Sequence, residues 1–159
     1  LDIKESIDIA LAAGVKREKI IIDPGIGFAK DTKQNLILLN NLGKLVDMGY
    51  PVLLGTSNKS VIGNTLNLDV DNRLEGTIAT SVLGLNQGCS FFRVHNVEAN
   101  KRALMMTNAI INGSIAPKTY FIPEISTSKL SKVLYTAISA TPSTNKVAHF
   151  EYFLKISNI

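Results

Sequence analysis

The chain alternates short apolar runs with longer stretches whose apolar residues recur every three to four positions. Residues 3–13, IKESIDIALAA, place Ile3, Ile7 and Ala10/Leu11 on one face, with Gly14 as the stop, and predict a helix. Residues 19–23, KIIID, are a β-branched run of the kind that forms a strand buried on both faces. The loop PGIGFAKDTK follows. Residues 34–48 carry a stripe of Leu38, Leu42, Leu45 and Val46 and predict a second helix that ends at Gly49. Residues 52–55, VLLG, predict the next strand. The polar loop TSNKS leads to a short apolar stretch and the turn-like NLDVDN. Residues 72–87 predict a mostly buried helix, with Asn72 as N-cap and Gly88 as stop. Residues 90–94, SFFRV, predict a third strand. Residues 97–112 predict a last helix, with Asn96 as N-cap and Gly113 just past its end.

This βαβαβα order with short connections calls for parallel strands joined by right-handed crossovers. An open flavodoxin-like or Rossmann sheet and a closed barrel both satisfy it. The placement of polar residues favours the barrel. Each apolar strand ends in unusual chemistry: Asp23 after III, Ser57 and Lys59 after VLLG, Arg93 and His95 around the end of FFRV. A closed parallel barrel gathers its strand ends on one face, where active sites are built.

The character changes at Gly113, the last of 11 glycines. Residues 114–159 are rich in Ser and Thr and show no βα repeat. We expect residues 1–113 to form the barrel-type domain and 114–159 an irregular tail. Within the tail, 129–138 reads as a helix and 147–156 as a helix or a strand; a linker, a lineage-specific extension and a non-native read-through all fit. The net charge of +4 resides mainly there. Residues 1–112 hold 12 basic and 11 acidic residues, and 113–159 hold 5 and 2, with the lysines scattered rather than striped. That distribution argues against a nucleic-acid partner. Apolar content of 45% argues for a globular protein, and no apolar run is long enough to span a membrane. The single cysteine, Cys89, fits a reducing cytoplasm and reads as a small buried residue. Residue 1 is Leu within a charged, amphipathic opening, so we expect no signal peptide and a start inside a longer protein.

Three motifs carry candidate chemistry. In Asp23-Pro24-Gly25-Ile26-Gly27-Phe28, a carboxylate at a strand end can accept parallel hydrogen bonds from the N–H and NH2 edge of a heterocycle. An ordinary Asp-Pro loop with a solvated carboxylate fits as well. In Gly55-Thr56-Ser57-Asn58-Lys59-Ser60, a lysine in a small-residue loop can donate to a ligand carbonyl or anion, or be a surface residue of a polar turn. The order of a phosphate-binding P-loop is absent. In Arg93-Val94-His95-Asn96, strand alternation puts Arg93 and His95 on one side. Arginine in an apolar strand is costly without an anion, so the pair reads as a phosphate or pyrophosphate site beside a helix N-terminus. The alternative is an Arg paired with an acid from another strand, with His95 in the core. His149 has no partners at useful spacing, and no Cys/His cluster or nucleophile elbow is present.

The segments IIIDPGIGFAK, VLLGTSNKSVIG, RLEGTIATSVLGLNQG and FFRVHNV, in this order, resemble dihydropteroate synthase over residues 1–112. The resemblance implies the C-terminal half of a TIM (β/α)8 barrel, from the fifth helix through strands six to eight. It implies condensation of 6-hydroxymethyl-7,8-dihydropterin pyrophosphate with p-aminobenzoate, giving 7,8-dihydropteroate and pyrophosphate in folate synthesis, a reaction blocked by sulfonamides. It also implies roles. Asp23 would bind the pterin edge, and Gly55 would let the pterin approach. Lys59 would contact the pterin and shape the p-aminobenzoate pocket. Phe28 would pack near the p-aminobenzoate ring, and Ser60 would hold its carboxylate. Arg93 and His95 would bind pyrophosphate and, with Lys59, serve catalysis. Magnesium would be held through the pyrophosphate and the family's N-terminal half. The full-length protein is expected to be a homodimer without nucleic-acid or membrane partners.

Two positions depart from the family's pattern. Asn58 stands where Arg is usual, which removes a full charge. Asn96 stands where Asp is usual and can still cap a helix. The family's N-terminal half supplies closing loops and further pterin contacts, so the chain alone is expected to have little or no synthase activity. Two other functions are open to the same residues: a methyltetrahydrofolate-binding methyltransferase barrel, which needs no pyrophosphate site, and an inactive fragment or paralogue.

Overall fold

The computed structural model describes residues 3–113, 136–139 and 154–155. They form a mixed α/β fold. The elements are α1 (Ile3–Ala12), β1 (Ile20–Asp23), α2 (Thr32–Leu39), α3 (Leu42–Val46), β2 (Leu53–Leu54), α4 (Ser60–Leu66), α5 (Leu74–Asn86), β3 (Phe91–Phe92), α6 (Val97–Asn112), β4 (Thr136–Ser139) and β5 (Leu154–Lys155).

The three apolar runs lie side by side as parallel strands. β1 meets β2 through the parallel bridge Ile22↔Val52. β2 pairs with β3 through Leu53↔Phe91 and Leu54↔Phe92. β4 lies parallel along β1, and β5 antiparallel along β3. Residues 136–138 are therefore extended, where the sequence suggested the end of a helix. The rest of both tail expectations lies outside the described residues.

Every residue of β1 is buried, as its β-branched composition requires. Ile20, Ile22, Leu54 and Phe92 join Leu42, Val52, Val61 and Leu104 in one core. Burying each such side chain contributes about 1.5–3 kcal/mol. α5 reaches this core through Gly84, where a Cβ would collide with Leu54 Cδ2 and lie 3.3 Å from Phe92 Cε1.

Three local expectations are corrected. The expected helix 34–48 starts earlier and breaks in the middle. Asp31 caps α2 through a full capping box with Gln34, so Thr32 and Lys33 are helical rather than loop. At Asn40–Asn41 the backbone leaves the helical ladder, and the Gln87 side chain takes the freed groups. Its Nε2 donates to Leu39 O at 2.8 Å, and its Oε1 accepts from Gly43 N at 3.2 Å. Asn41 Nδ2 also donates to Ile37 O, the kind of local competition that makes Asn a poor helix-interior residue. Asn72 does not cap α5; it ends a 3-10 turn, Val70–Asn72, and α5 starts after Arg73. Leu11 is exposed, and the stripe of α1 runs through the buried Ile3 and Ile7 to Ala10, which packs against the core part-buried. Asn96 does cap α6, accepting from Ala99 N at 3.0 Å, and Gly113 ends it with φ 60°.

Candidate functional site

The carboxyl ends of β1, β2 and β3 are adjacent because the strands are parallel and in order, and each end carries one of the three motifs. Asp23 is the last residue of β1 and is buried. Gly25 N donates to its Oδ1 at 2.8 Å, a turn that Gly25 makes with φ 67°. Burial raises the Asp23 pKa above its ordinary value. The Gly25 N–H and the cations of Lys59, Arg93 and Lys30 pull it back down. A solvated Asp-Pro loop does not describe this carboxyl.

Lys59 comes from the loop after β2 and crosses to the first motif. Its Nζ donates to Ile26 O and lies 4.5 Å from the centroid of the Phe28 ring, a cation–π contact. Its stem passes over Gly27, where a Cβ would sit 3.0 Å from Lys59 Cδ. Burial lowers the Lys59 pKa to about 8, with Arg93 and Lys30 acting in the same direction and Asp23 opposing them. Phe28 itself is exposed. Ser60 opens α4 and is exposed.

The parallel register of β2 and β3 continues past the strands. Arg93 N donates to Leu54 O at 3.0 Å. The Arg93 guanidinium lies over Gly55, where a Cβ would sit 3.2 Å from Nη2. Gly55 thus makes room for Arg93. Two residues further, His95 N donates to Ser57 Oγ at 3.1 Å, and His95 Nδ1 lies 2.8 Å from the same hydroxyl. His95 is exposed rather than in the core. The structure therefore brings Asp23, Lys59 and Arg93 within one another's electrostatic reach, with Phe28, Gly55, Ser60 and His95 on the same three loops.

Further residues that no sequence motif marks support the site. Lys30 Nζ donates to Gly25 O at 3.1 Å and Phe28 O at 3.2 Å, which folds the first loop back on itself. Asn35, fully buried in α2, accepts from Gly27 N at 2.8 Å and donates to Lys30 O and Asp31 O. The capping box beginning at Asp31 was the available signal, because it places Asn35 one turn into a helix beside the loop. Ser57 stood in the second motif without an assigned partner. Cys89 is buried as expected, and burial pushes its thiol pKa up to about 12, so it is inert.

Residues 2–95 match the family model described as pterin binding enzyme. The chain is 56% identical over 111 residues to a dihydropteroate synthase of Clostridium beijerinckii, covering 69% of this chain and 41% of the relative. It is 48% identical over 101 residues to a Mycobacterium tuberculosis protein named inactive dihydropteroate synthase 2, covering 64% and 32%. A dihydropteroate synthase structure from Coxiella burnetii in complex with pteroic acid matches with TM-score 0.67 and 41% identity, over 70% of this chain and 41% of that one. The chain thus spans about two fifths of the length of the curated synthases it matches.

Proposed function

Because the chain belongs to the pterin binding enzyme family, we propose that it carries part of the active face of a dihydropteroate synthase. In this reading β1–β3 are strands six to eight of a TIM barrel, residues 1–113 hold the pterin-binding unit, and the following segment adds β4 beside β1 and β5 beside β3. The observation that carries it is the convergence of a buried carboxyl, an ammonium and a guanidinium at three neighbouring parallel strand ends.

The chemistry asked of these groups is positioning and charge stabilisation. The carbon–oxygen bond to pyrophosphate breaks, the electron pair leaves with the pyrophosphate, and the neutral aniline nitrogen bonds to the pterin methylene carbon and then loses a proton. Asp23 would fix the pterin edge. Arg93 and His95 would receive the growing negative charge on the leaving group. With a pKa of about 8, Lys59 is mostly protonated at neutral pH and acts as a donor rather than a base. Phe28 and Ser60 would contact the ring and carboxylate of p-aminobenzoate, and Gly55 admits the Arg93 guanidinium beside the pterin. Among the described residues no group of three or more His, Cys, Asp or Glu side chains lies together. Magnesium would be held through the pyrophosphate and the family's N-terminal half rather than by these residues. A cytoplasmic setting and a homodimer of the whole protein belong to the same proposal. The buried reduced Cys89 supports the first, and the exposed Met106, Ile110 and Ile111 on α6 support the second.

Titration of the chain with 6-hydroxymethylpterin pyrophosphate and with the same pterin lacking pyrophosphate tests the assignment. Arg93→Ala should weaken the pyrophosphate-bearing ligand about 30-fold, roughly 2 kcal/mol, and leave the plain pterin unchanged. Asp23→Asn should weaken both. Equal losses for both ligands with Arg93→Ala would remove Arg93 from the anion site, and tighter binding of methyltetrahydrofolate would favour the methyltransferase reading. The similarity to an inactive relative favours one further reading, a pterin binder without turnover. Pteroate formation from p-aminobenzoate would reject it.

A further inference from the structure

The loop that presents Lys59 is held from behind by one face of α5. Thr56 Oγ1 and Thr80 Oγ1 lie 2.6 Å apart. Thr77, fully buried, accepts from Asn58 N at 3.1 Å and donates to Asn58 Oδ1 at 3.4 Å. Arg73, just before α5, closes the set. Its Nη1 donates to Asn58 O at 2.9 Å, and its Nε and Nη2 donate to Leu68 O at 3.1 and 3.0 Å. Positions 73, 77 and 80 fall on one helical face.

Asn58 adopts φ 56°, the left-handed region that few non-glycine residues enter. Such a turn persists only where its surroundings over-determine it. Here the N–H, the carbonyl and the side-chain amide of Asn58 all meet Arg73 or Thr77. The guanidinium of Arg73 can lie where it does because Gly63 of α4 has no side chain. A Cβ there would collide with Arg73 Nη2 and Cζ.

We infer that Arg73 is a positioning residue of the candidate site: laid flat on Gly63, it grips the Asn58 carbonyl and sets the turn from which Lys59 and Ser60 project. The inference rests on the proposal that Lys59 faces the pterin. It also assigns Gly63 a purpose, since any side chain there would lift the guanidinium off Asn58.

Acylation of the folded chain by acetic anhydride across pH, with Lys59 followed by peptide mass spectrometry, reads the position of the ammonium. The wild-type midpoint is expected at about 8. Arg73→Lys and Gly63→Ala should each raise it by about one pH unit, as Lys59 swings toward water and recovers ordinary lysine behaviour. The double variant should go no further than Arg73→Lys alone, because both changes break the same contact. The affinity for 6-hydroxymethylpterin pyrophosphate should fall several-fold in step. A purely structural role would lower stability and leave the Lys59 midpoint unmoved, so an unmoved midpoint in folded variants overturns the inference. Loss of folding in both single variants, seen by circular dichroism, would make the pair structural and overturn it too. A wild-type midpoint at the ordinary lysine value would sink both this inference and the placement of Lys59. A wild-type midpoint near 8 without pterin binding would sink the proposed function alone.

Discussion

Replacing Lys59 with Met should remove a specific piece of the pH dependence of stability. In the folded chain burial brings the Lys59 pKa from 10.5 to about 8. Above pH 10.5 the amine is neutral in both folded and unfolded chains, and its burial carries no charge penalty. As pH falls below 10.5 the unfolded chain takes up a proton, while the folded chain resists until about pH 8. Stability is therefore lost as pH falls through that window and is lowest below it. At full strength the gap between the two values corresponds to about 3 kcal/mol. The side chain is part-buried, and screening by solvent reduces this to about 2 kcal/mol. Met preserves most of the stem that covers Gly27 and lies near Phe28. It forfeits the hydrogen bond to Ile26 O and the cation–π contact. Those losses move the offset between the two proteins but not its slope with pH. The measurement is urea unfolding of both proteins by circular dichroism from pH 7 to 10. Subtracting the variant from the wild type cancels the other titrating groups to first order. The difference should rise toward the wild type by about 1.5 kcal/mol between pH 7 and pH 10, roughly three quarters of the full effect. A difference flat to within about 0.5 kcal/mol would show that burial does not hold Lys59 below its ordinary pKa, and the geometry of the second loop would be wrong.

Two further substitutions probe the frame behind the site. Gly84→Ala drives a Cβ into Leu54 and should destabilise the fold by about 1–3 kcal/mol despite its better helix propensity. Pairing it with Leu54→Val should recover part of that loss, and strict additivity in urea unfolding would contradict the close approach of α5 to β2. Ser81→Ala strips the hydroxyl that lies 2.9 Å from Asn100 Oδ1 in a fully buried pair between α5 and α6. It should lower the unfolding midpoint by the equivalent of about 1–3 kcal/mol, and a neutral result would mean that another group satisfies Asn100.

The parts of the site that share an element were readable along the chain. Three apolar runs, followed directly by Asp23 and Arg93 and, after a short polar loop, by Lys59, announced parallel strands with chemistry at their ends. Asp23, Lys59 and Arg93 follow from that pattern, as does the cap at Asn96. What escaped was held by partners distant in sequence. Gln87 satisfies the groups freed at the Asn40–Asn41 break from 44 and 48 residues away, a partner that no local pattern could have named. Arg73 reaches Asn58 across 15 residues, and Asn35 reaches Gly27 across 8. The spacing admits Ala10 or Leu11 to the stripe of α1, and only the packing decides that Ala10 continues the line of Ile3 and Ile7 while Leu11 faces water.

By itself the sequence determined the alternation of β1, β2 and β3 with helices over residues 19–112, the residues able to form buried strands, and the charged groups beyond the strand ends. These follow from side-chain shape and the two backbone periodicities, which act within a few residues. The helix α4, the break between α2 and α3, and the extended 136–139 were outside its reach. The tertiary structure alone decided that the Arg93 guanidinium rests on Gly55 and that Ser57 orients His95. It also decided that Lys59 turns back over Phe28 beside a carboxyl kept from water. Those outcomes depend on desolvation and on hydrogen-bond partners brought together by chain crossing, and neither quantity exists until the strands lie side by side.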